Sequence, residues 1–465
     1  MRLRIATGIT LRVVAAAALI AAAAFAMFAG APAAQPAGPT PSAQPLTIIA
    51  TWTGTEGAEF QKILRGFANK TGIHVNYVGT SAAGQLLESD IQQSNPPDLA
   101  ILPSPATLLQ YARLGYLTNL VPVIGKRQIS AYDHQWQDIM KLGTSTLYAL
   151  PFKVQVHNLV WYDPQNWPGK GRPFHESAPT WSQLSMLEQH ITAGGGTPWC
   201  VGLDSTPVSG WPAADWIGDI LLHQSGIPAY EQWADGELDW TSRQVKTAWQ
   251  TWGSLVTGQV YGGSLAALVT EWDSAGMPMF GPAPGCYLQH APSFITLHYH
   301  EDGRRPGTDY DFFPFPMAGL PDQARGVVNR AWEVTADLLA MFRDTPQAKS
   351  LVTYLAGEQT QQIWPNIPYS GATSANMNAQ QKIHSDPVAQ AVAGMVTDTS
   401  GTLCFNASDE MPDTLQSAFY QGVMEYLQNP SPTQLQAILQ RLNQVQQTTY
   451  ETFLGGHPDF HCGKP

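Results

Sequence analysis

Beyond its first forty-five residues, the chain alternates between two hydrophobic periods. Leu46 to Trp52 (LTIIATW) is an apolar, β-branched run that predicts a buried strand. Gly54-Thr55-Glu56 turns the chain. Phe60, Ile63, Leu64 and Phe67 then recur at helical spacing, with Gly72 just past the end. Ile73 to Val78 alternates as a second strand, and Leu86, Leu87 and Ile91 mark a helix that ends before Pro96-Pro97. Asp98 to Leu102 reads as a third strand, and Leu108 to Leu114 as a helix stopped by Gly115. The order β-α-β-α-β predicts a parallel sheet covered by helices.

The texture changes after Leu150-Pro151-Phe152-Lys153. Residues 154–162 (VQVHNLVWY) alternate and predict one strand. A stretch rich in Trp, Pro and Gly follows, with shorter helices, one opened by Thr180-Trp181-Ser182-Gln183-Leu184. Asp311 to Pro316 (DFFPFP) predicts an extended crossing. A helix with Pro346 near its start and Thr345 as cap places Leu351, Tyr354 and Leu355 on one face and ends at Gly357. The last helix begins at Ser431-Pro432-Thr433, with Leu435, Ile438, Leu442, Val445 and Phe453 as its apolar stripe. There is no internal repeat.

Length and composition narrow the class. A chain of 465 residues exceeds what one core usually serves, so two lobes are expected. Hydrophobic residues make up 44% and charged ones 13%, which excludes disorder. A net charge of -12 argues against nucleic acid, whose phosphates need a basic face. Arg2, Arg4 and Arg12 precede an apolar run from Val13 to Ala29, and Ala31-Pro32-Ala33 offers a cleavage site. Residues 1–33 therefore read as a secretory signal, with an uncleaved anchor as the alternative, and residues 34–45 as a Pro-rich tether. No cysteine lies near the end of the apolar run, so no lipid-anchor site is expected.

The four cysteines, Cys200, Cys286, Cys404 and Cys462, suit two disulfides in an exported chain, with three pairings open. None has C-x-x-C spacing, so no zinc site is expected. His298 and His300 alternate on an expected strand, and two histidines alone are a weak metal signal. No metal and no cofactor is expected. Asn406-Ala407-Ser408 has the pattern of a glycosylation acceptor.

In open parallel sheets, ligands sit beyond the carboxyl ends of the strands. Those ends carry Trp52 and Glu56, and Ser104 between two prolines, each before a helix N-terminus. The plainer reading is that Trp52 caps the core and Glu56 only favours a helix start. The stretch 196–216 (GTPWCVGLDSTPVSGWPAADW) holds three tryptophans and two aspartates but no basic residue. A sugar presents apolar C–H faces, which suit aromatic rings, and hydroxyl edges, which suit carboxylates. Trp211 and Asp215 supply that mix. Trp211 is expected in a turn and Asp215 in the first turn of the next helix. Trp216 precedes Ile217, Ile220 and Leu221 at helix spacing and reads as core. Trp272, in Glu271-Trp272-Asp273, reads as a ligand loop or a solvated one. Lys153 could donate to a hydroxyl or pair with an acid.

The order of these segments resembles the extracellular solute-binding proteins of ABC importers, carbohydrate type. The resemblance runs from about Leu46 to the C-terminal helix. It is carried by the strand ending in Trp52-Thr53-Gly54, TGIHVNYVGT, PPDLAILPSPATLLQYARLGYLTNL, LPFKVQVHNLVWYD, APTWSQL, GTPWCVGLDS with SGWPAADW, FGPAPGCYLQHAPSFI, DFFPFP and WPNIPYSG. The second half looks like the branch that binds glucosides and other oligosaccharides. The missing lipid-anchor cysteine departs from Gram-positive members.

The resemblance implies an α/β fold of two discontinuous lobes joined by crossing strands, of the periplasmic-binding-protein type II kind, with the ligand between them. Lobe one would comprise 46–152 and 313–367, and lobe two 153–312 and 368–465. It also implies that the region of Phe280 faces the cleft; Trp332 reads as following a crossing strand and Trp364 as ending a helix that faces the cleft, each a ligand contact or a core residue. Cys200–Cys286 is expected to bridge two segments of lobe two, and Cys404–Cys462 to tie down the tail. The implied protein is exported and extracytoplasmic. It is a monomer and not an enzyme, and it delivers a sugar to membrane permease subunits whose ATPase is separate. A polyamine or other solute is the alternative cargo. A secreted glycoside hydrolase is the alternative class, which would need two carboxylates across a scissile bond.

Overall fold

The computed structural model describes residues 45–168, 178–321, 323, 330–380, 386–398, 400–453 and 455–463. The expected signal and all of the tether but Pro45 lie outside the described residues. Nine strands are described: β1 (Leu46–Ala50), β2 (Val75–Gly79), β3 (Leu99–Leu102), β4 (Ala149–Val156), β5 (Leu159–Tyr162), β6 (Leu288–His290), β7 (Asp311–Pro314), β8 (Ala331–Met341) and β9 (Thr402–Phe405). They form two sheets. The larger has the order β2-β1-β3-β8-β4, with β9 also on β8; the smaller has the order β6-β5-β7.

The expected β-α-β-α-β unit is present. β1 pairs in parallel with both β2 and β3. The helices Gly54–Thr71, Ala83–Gln92 and Pro105–Arg113 follow β1, β2 and β3 in turn. The first buries Phe60, Ile63, Leu64 and Phe67 and ends at Gly72 with φ 74°, a conformation glycine adopts without cost. β8 is buried along all eleven residues because it lies inside the sheet. It runs antiparallel to β3 and β4 and parallel to β9, making the sheet mixed.

Residues 154–162 form two strands rather than one. β4 ends at Val156 and β5 begins at Leu159, and every residue between is buried. Alternation in sequence misled here because both strands are covered on both faces. The pair His157-Asn158 carries the chain from the larger sheet to the smaller one. The return crossing lies between β7 and β8. Because β7 pairs with β5, this crossing falls after Pro314. His298 and His300 lie on the helix Ile295–Glu301, not on a strand. Trp332 is the second residue of β8, the strand that follows the return crossing.

Around the smaller sheet the core is largely aromatic. Trp216 and Trp199 meet edge to face at 4.6 Å, both buried, as expected for Trp216. Trp233, Trp240 and Trp249 gather on Phe419 at 4.9–5.7 Å. Both disulfides form, Cys200–Cys286 and Cys404–Cys462. The first joins residues flanking Trp199 and β6, and the second fastens the C-terminal segment to β9. Asn406 is only 1% exposed, so its sequon has no accessible acceptor in the fold.

Candidate functional site

A cleft of about 320 Å³ lies where the carboxyl ends of β1 and β3 face the start of the helix Trp211–Ser225. From β1 and the helix after it come Trp52 and Glu56. Ser104 follows β3, Lys153, Gln155 and His157 follow one another along and just past β4, and Thr335 and Asp337 come from β8. On the opposite side stand Trp211, Asp215, Trp272, Phe294, Asp409, Gln416 and Tyr420.

Local sequence explains several placements. Ser104 caps the helix Pro105–Arg113 by accepting from Thr107 N, and its hydroxyl donates to the Asp409 carbonyl. Trp211 opens its helix directly after Gly210, whose φ is 104°. A Cβ at Gly210 would stand 2.5 Å from the Tyr420 carbonyl oxygen, so glycine lets these two cleft residues approach. Asp215 lies in the second turn of that helix, one turn later than expected.

The aromatic wall is continuous. Trp211 meets Trp272 at 5.2 Å and Phe294 at 6.0 Å, and Trp272 meets Phe294 at 5.2 Å. Trp211 and Trp272 are half-buried, leaving ring surface to the cleft. Trp52 is different: it is 3% exposed and packs on Phe60, Phe152 and Trp364. It is largely core, with its indole N–H donating to Asp337 Oδ2 at 3.2 Å.

The polar groups form one connected line. Lys153 is buried and pairs with Glu56, and its ammonium lies 5.4 Å from the Trp364 ring and 5.8 Å from Phe294. Gln155 Nε2 donates to Asp337 Oδ2, and the Thr335 hydroxyl donates to Gln155 Oε1. His157 bridges Thr335 Oγ1 and Asp215 Oδ2, both at 2.9 Å. Asn406 donates to Asp215 Oδ1 and to the buried Glu333. Burial pushes the Asp337 carboxyl up, with Lys153 as the chief opposing influence. Burial, helped by Asp215 and Asp337, pushes Asp409 up to about 7.

Of the ten residues singled out in the sequence, the fold brings seven to this cleft: Trp52, Glu56, Ser104, Lys153, Trp211, Asp215 and Trp272. Three lie off its lining. Phe280 packs on Tyr299 under the Arg304 guanidinium. Trp332 sits where β8 pairs with β9. Trp364 backs Trp52 and Lys153 from the core side. Sequence reasoning missed Gln155, His157, Thr335, Asp337, Phe294 and Asp409. For Thr335 and Asp337 a signal existed: with Glu333 they are the three polar residues, at every second position, of the otherwise apolar run AWEVTADLLAM. Asp409 had none. Among the described residues no cluster of three or more His, Cys, Asp or Glu could hold a metal.

Known proteins place this architecture. The chain is 29% identical over 407 residues to the alpha-glucosides-binding periplasmic protein AglE of Rhizobium meliloti, covering 86% of each chain. It is 28% identical over 404 residues to the osmoprotective compounds-binding protein GgtB of Synechocystis, covering 85% of this chain and 91% of that one. Among solved structures, a chitin oligosaccharide binding protein superposes with a TM-score of 0.70 at 14% identity, over 87% of this chain and 98% of the other. The GacH receptor of Streptomyces glaucescens does so with 0.65 at 13% identity, over 88% and 98%. These likenesses establish the two-lobed solute-receptor fold. Residues 51–362 match the model of the bacterial extracellular solute-binding proteins, and the chain belongs to that family.

Proposed function

We propose that this protein is the substrate-binding component of an ABC importer and that it captures a sugar or oligosaccharide, an α-glucoside being the leading candidate. The observation that carries this reading is the composition of the cleft: an aromatic wall of Trp211, Trp272 and Phe294 facing carboxylates and amides. Rings cover the apolar face of a pyranose, while Asp337, Asp409, Gln155 and Gln416 exchange hydrogen bonds with its hydroxyls. The name of the alpha-glucosides-binding relative supports the same class. The cleft residues Trp52, Glu56, Ser104, Lys153, Trp211, Asp215 and Trp272 are its proposed ligand site.

Lobe one is built on the larger sheet and lobe two on the smaller, with crossings at His157-Asn158 and after Pro314, and with β9 returning to the larger sheet beside β8. Hinge closure about the crossing at His157-Asn158 traps the ligand, because the closed state binds it better than the open one. The chain acts outside the cytoplasm as a monomer, without chemistry of its own, and docks on membrane permease subunits.

Thermal melting against maltose, trehalose, longer glucosides, polyamines and metal ions tests this. A ligand of the folded state stabilises by about 2.7 kcal/mol at a hundredfold excess over its Kd. A selective shift with one sugar, recovered intact, is the expected result. A shift with a polyamine alone would reassign the cargo, since four carboxylates and one lysine line the cleft. Cleaved sugar would reassign the class.

A further inference from the structure

His157 was not among the residues singled out by sequence, yet it stands where the chain crosses between the sheets. It is 5% exposed and contacts both sides of the cleft. The donors and acceptors around it leave little freedom. Asn406 Oδ1 accepts from the backbone N–H groups of Ser408 and Asp409, which turns its amide nitrogen toward Asp215 Oδ1. On the other side, Gln155 gives its amide nitrogen to Asp337, so its oxygen faces Thr335. Thr335 has one hydroxyl proton, and Gln155 Oε1 takes it. Thr335 Oγ1 can therefore only accept from His157 Nε2. That leaves Nδ1 facing a carboxylate oxygen at 2.9 Å.

We infer that His157 stands in the cleft as an imidazolium with a proton on each ring nitrogen, and that in this state it is a positioning residue, holding Asp215 and Thr335 for the ligand. This rests on the cleft being the ligand site. The surroundings agree. Burial by itself disfavours the charged ring, but Asp215 outweighs it, aided by Asp409 and by Asp219 from the next turn of the same helix. Glu333, two residues before Thr335 on β8, reaches Asp215 through Asn406. On the remaining side is the Phe294 ring at 6.2 Å, which also lies 5.8 Å from the Lys153 ammonium. Acids thus face His157 from the helix, from β8 and from the segment after β9. One cation, Lys153, approaches the same Phe294 ring.

The sign follows. A histidine raised above its usual 6.5 contributes while protonated and stops contributing as pH rises through its folded value. Losing one required proton weakens binding about tenfold per pH unit above that point.

The test uses the whole chain labelled with 15N-histidine. The ring signal lost in His157→Gln should show both nitrogens protonated at pH 7.5. A neutral ring, with the proton on Asp215, overturns the inference. Maltose affinity is then measured from pH 6 to 9. The wild type should lose about tenfold per unit above the midpoint. Thr335→Val, which removes the Nε2 acceptor, should move ring midpoint and affinity curve together to lower pH. It also serves if the glutamine variant does not fold. Identical curves for Thr335→Val and wild type overturn the positioning role. No maltose binding at any pH, with the ring doubly protonated, sinks the sugar reading and leaves the charge assignment standing.

Discussion

Replacing Lys153 by methionine removes one charge and keeps most of the stem. Lys153 is 3% exposed, and its loss leaves two carboxylates without their cation. Breaking a fully buried pair costs about 3–5 kcal/mol. Glu56 is 30% exposed and can turn into water, so its share is smaller. Asp337 is 6% exposed and held by Trp52 and Gln155, so it cannot turn away. The two ring contacts add about 0.5–1 kcal/mol each. Lys153→Met should therefore destabilise by about 3 kcal/mol at pH 7.5.

The pH dependence separates this account from simple loss of packing. Burial raises the Asp337 carboxyl and Lys153 pulls it back, so the variant raises it further. An acid with a raised folded pKa costs stability above its unfolded value near 3.9, and the cost disappears as pH falls to that value. The gap between variant and wild type should shrink between pH 7.5 and pH 4.5. Urea unfolding followed by tryptophan fluorescence measures it at both. A gap below about 1 kcal/mol at pH 7.5, or one equal at both pH values, would refute the reasoning.

Trp211→Ala should weaken sugar binding at least tenfold while costing little stability, because the ring is half-buried at a helix start; titration calorimetry and melting decide it. Trp52→Ala should instead cost about 3–5 kcal/mol, since the ring is core, so it does not isolate a binding effect. Removing Cys404 and Cys462 together should lower stability by about 4 kcal/mol from chain entropy, as the bridge closes a separation of 58 residues; denaturant midpoints with and without reductant report it. His223 is buried, neither ring nitrogen has a hydrogen-bond partner among the described residues, and burial pushes its pKa down to about 4. The unfolded chain then takes a proton the folded one refuses, so stability falls as pH drops from 6.5 toward 4. His223→Leu should flatten that acid limb.

Strand ends and helix starts were local enough to read. Trp52, Glu56 and Ser104 came from the rule that ligands gather beyond strand carboxyl ends, and they do meet at the cleft. The two disulfides joined as expected, although four cysteines alone leave three pairings. Trp52 illustrates the limit: it stands at the cleft, yet its ring turns inward, because burial is settled by what packs against a residue.

The sequence by itself determined the first lobe's unit, since periodicity, caps and Gly72 are local signals between near neighbours. It also determined that an aromatic and acidic site was available. Only the tertiary structure decided which of those residues share a cleft. Phe280 and Trp332 were packed elsewhere, while Asp337, Thr335 and His157 were drawn in from buried strands. The physical reason is that their roles depend on partners far along the chain. His157 needs Asp215 and Thr335, separated from it by 58 and 178 residues, and no local pattern encodes such contacts.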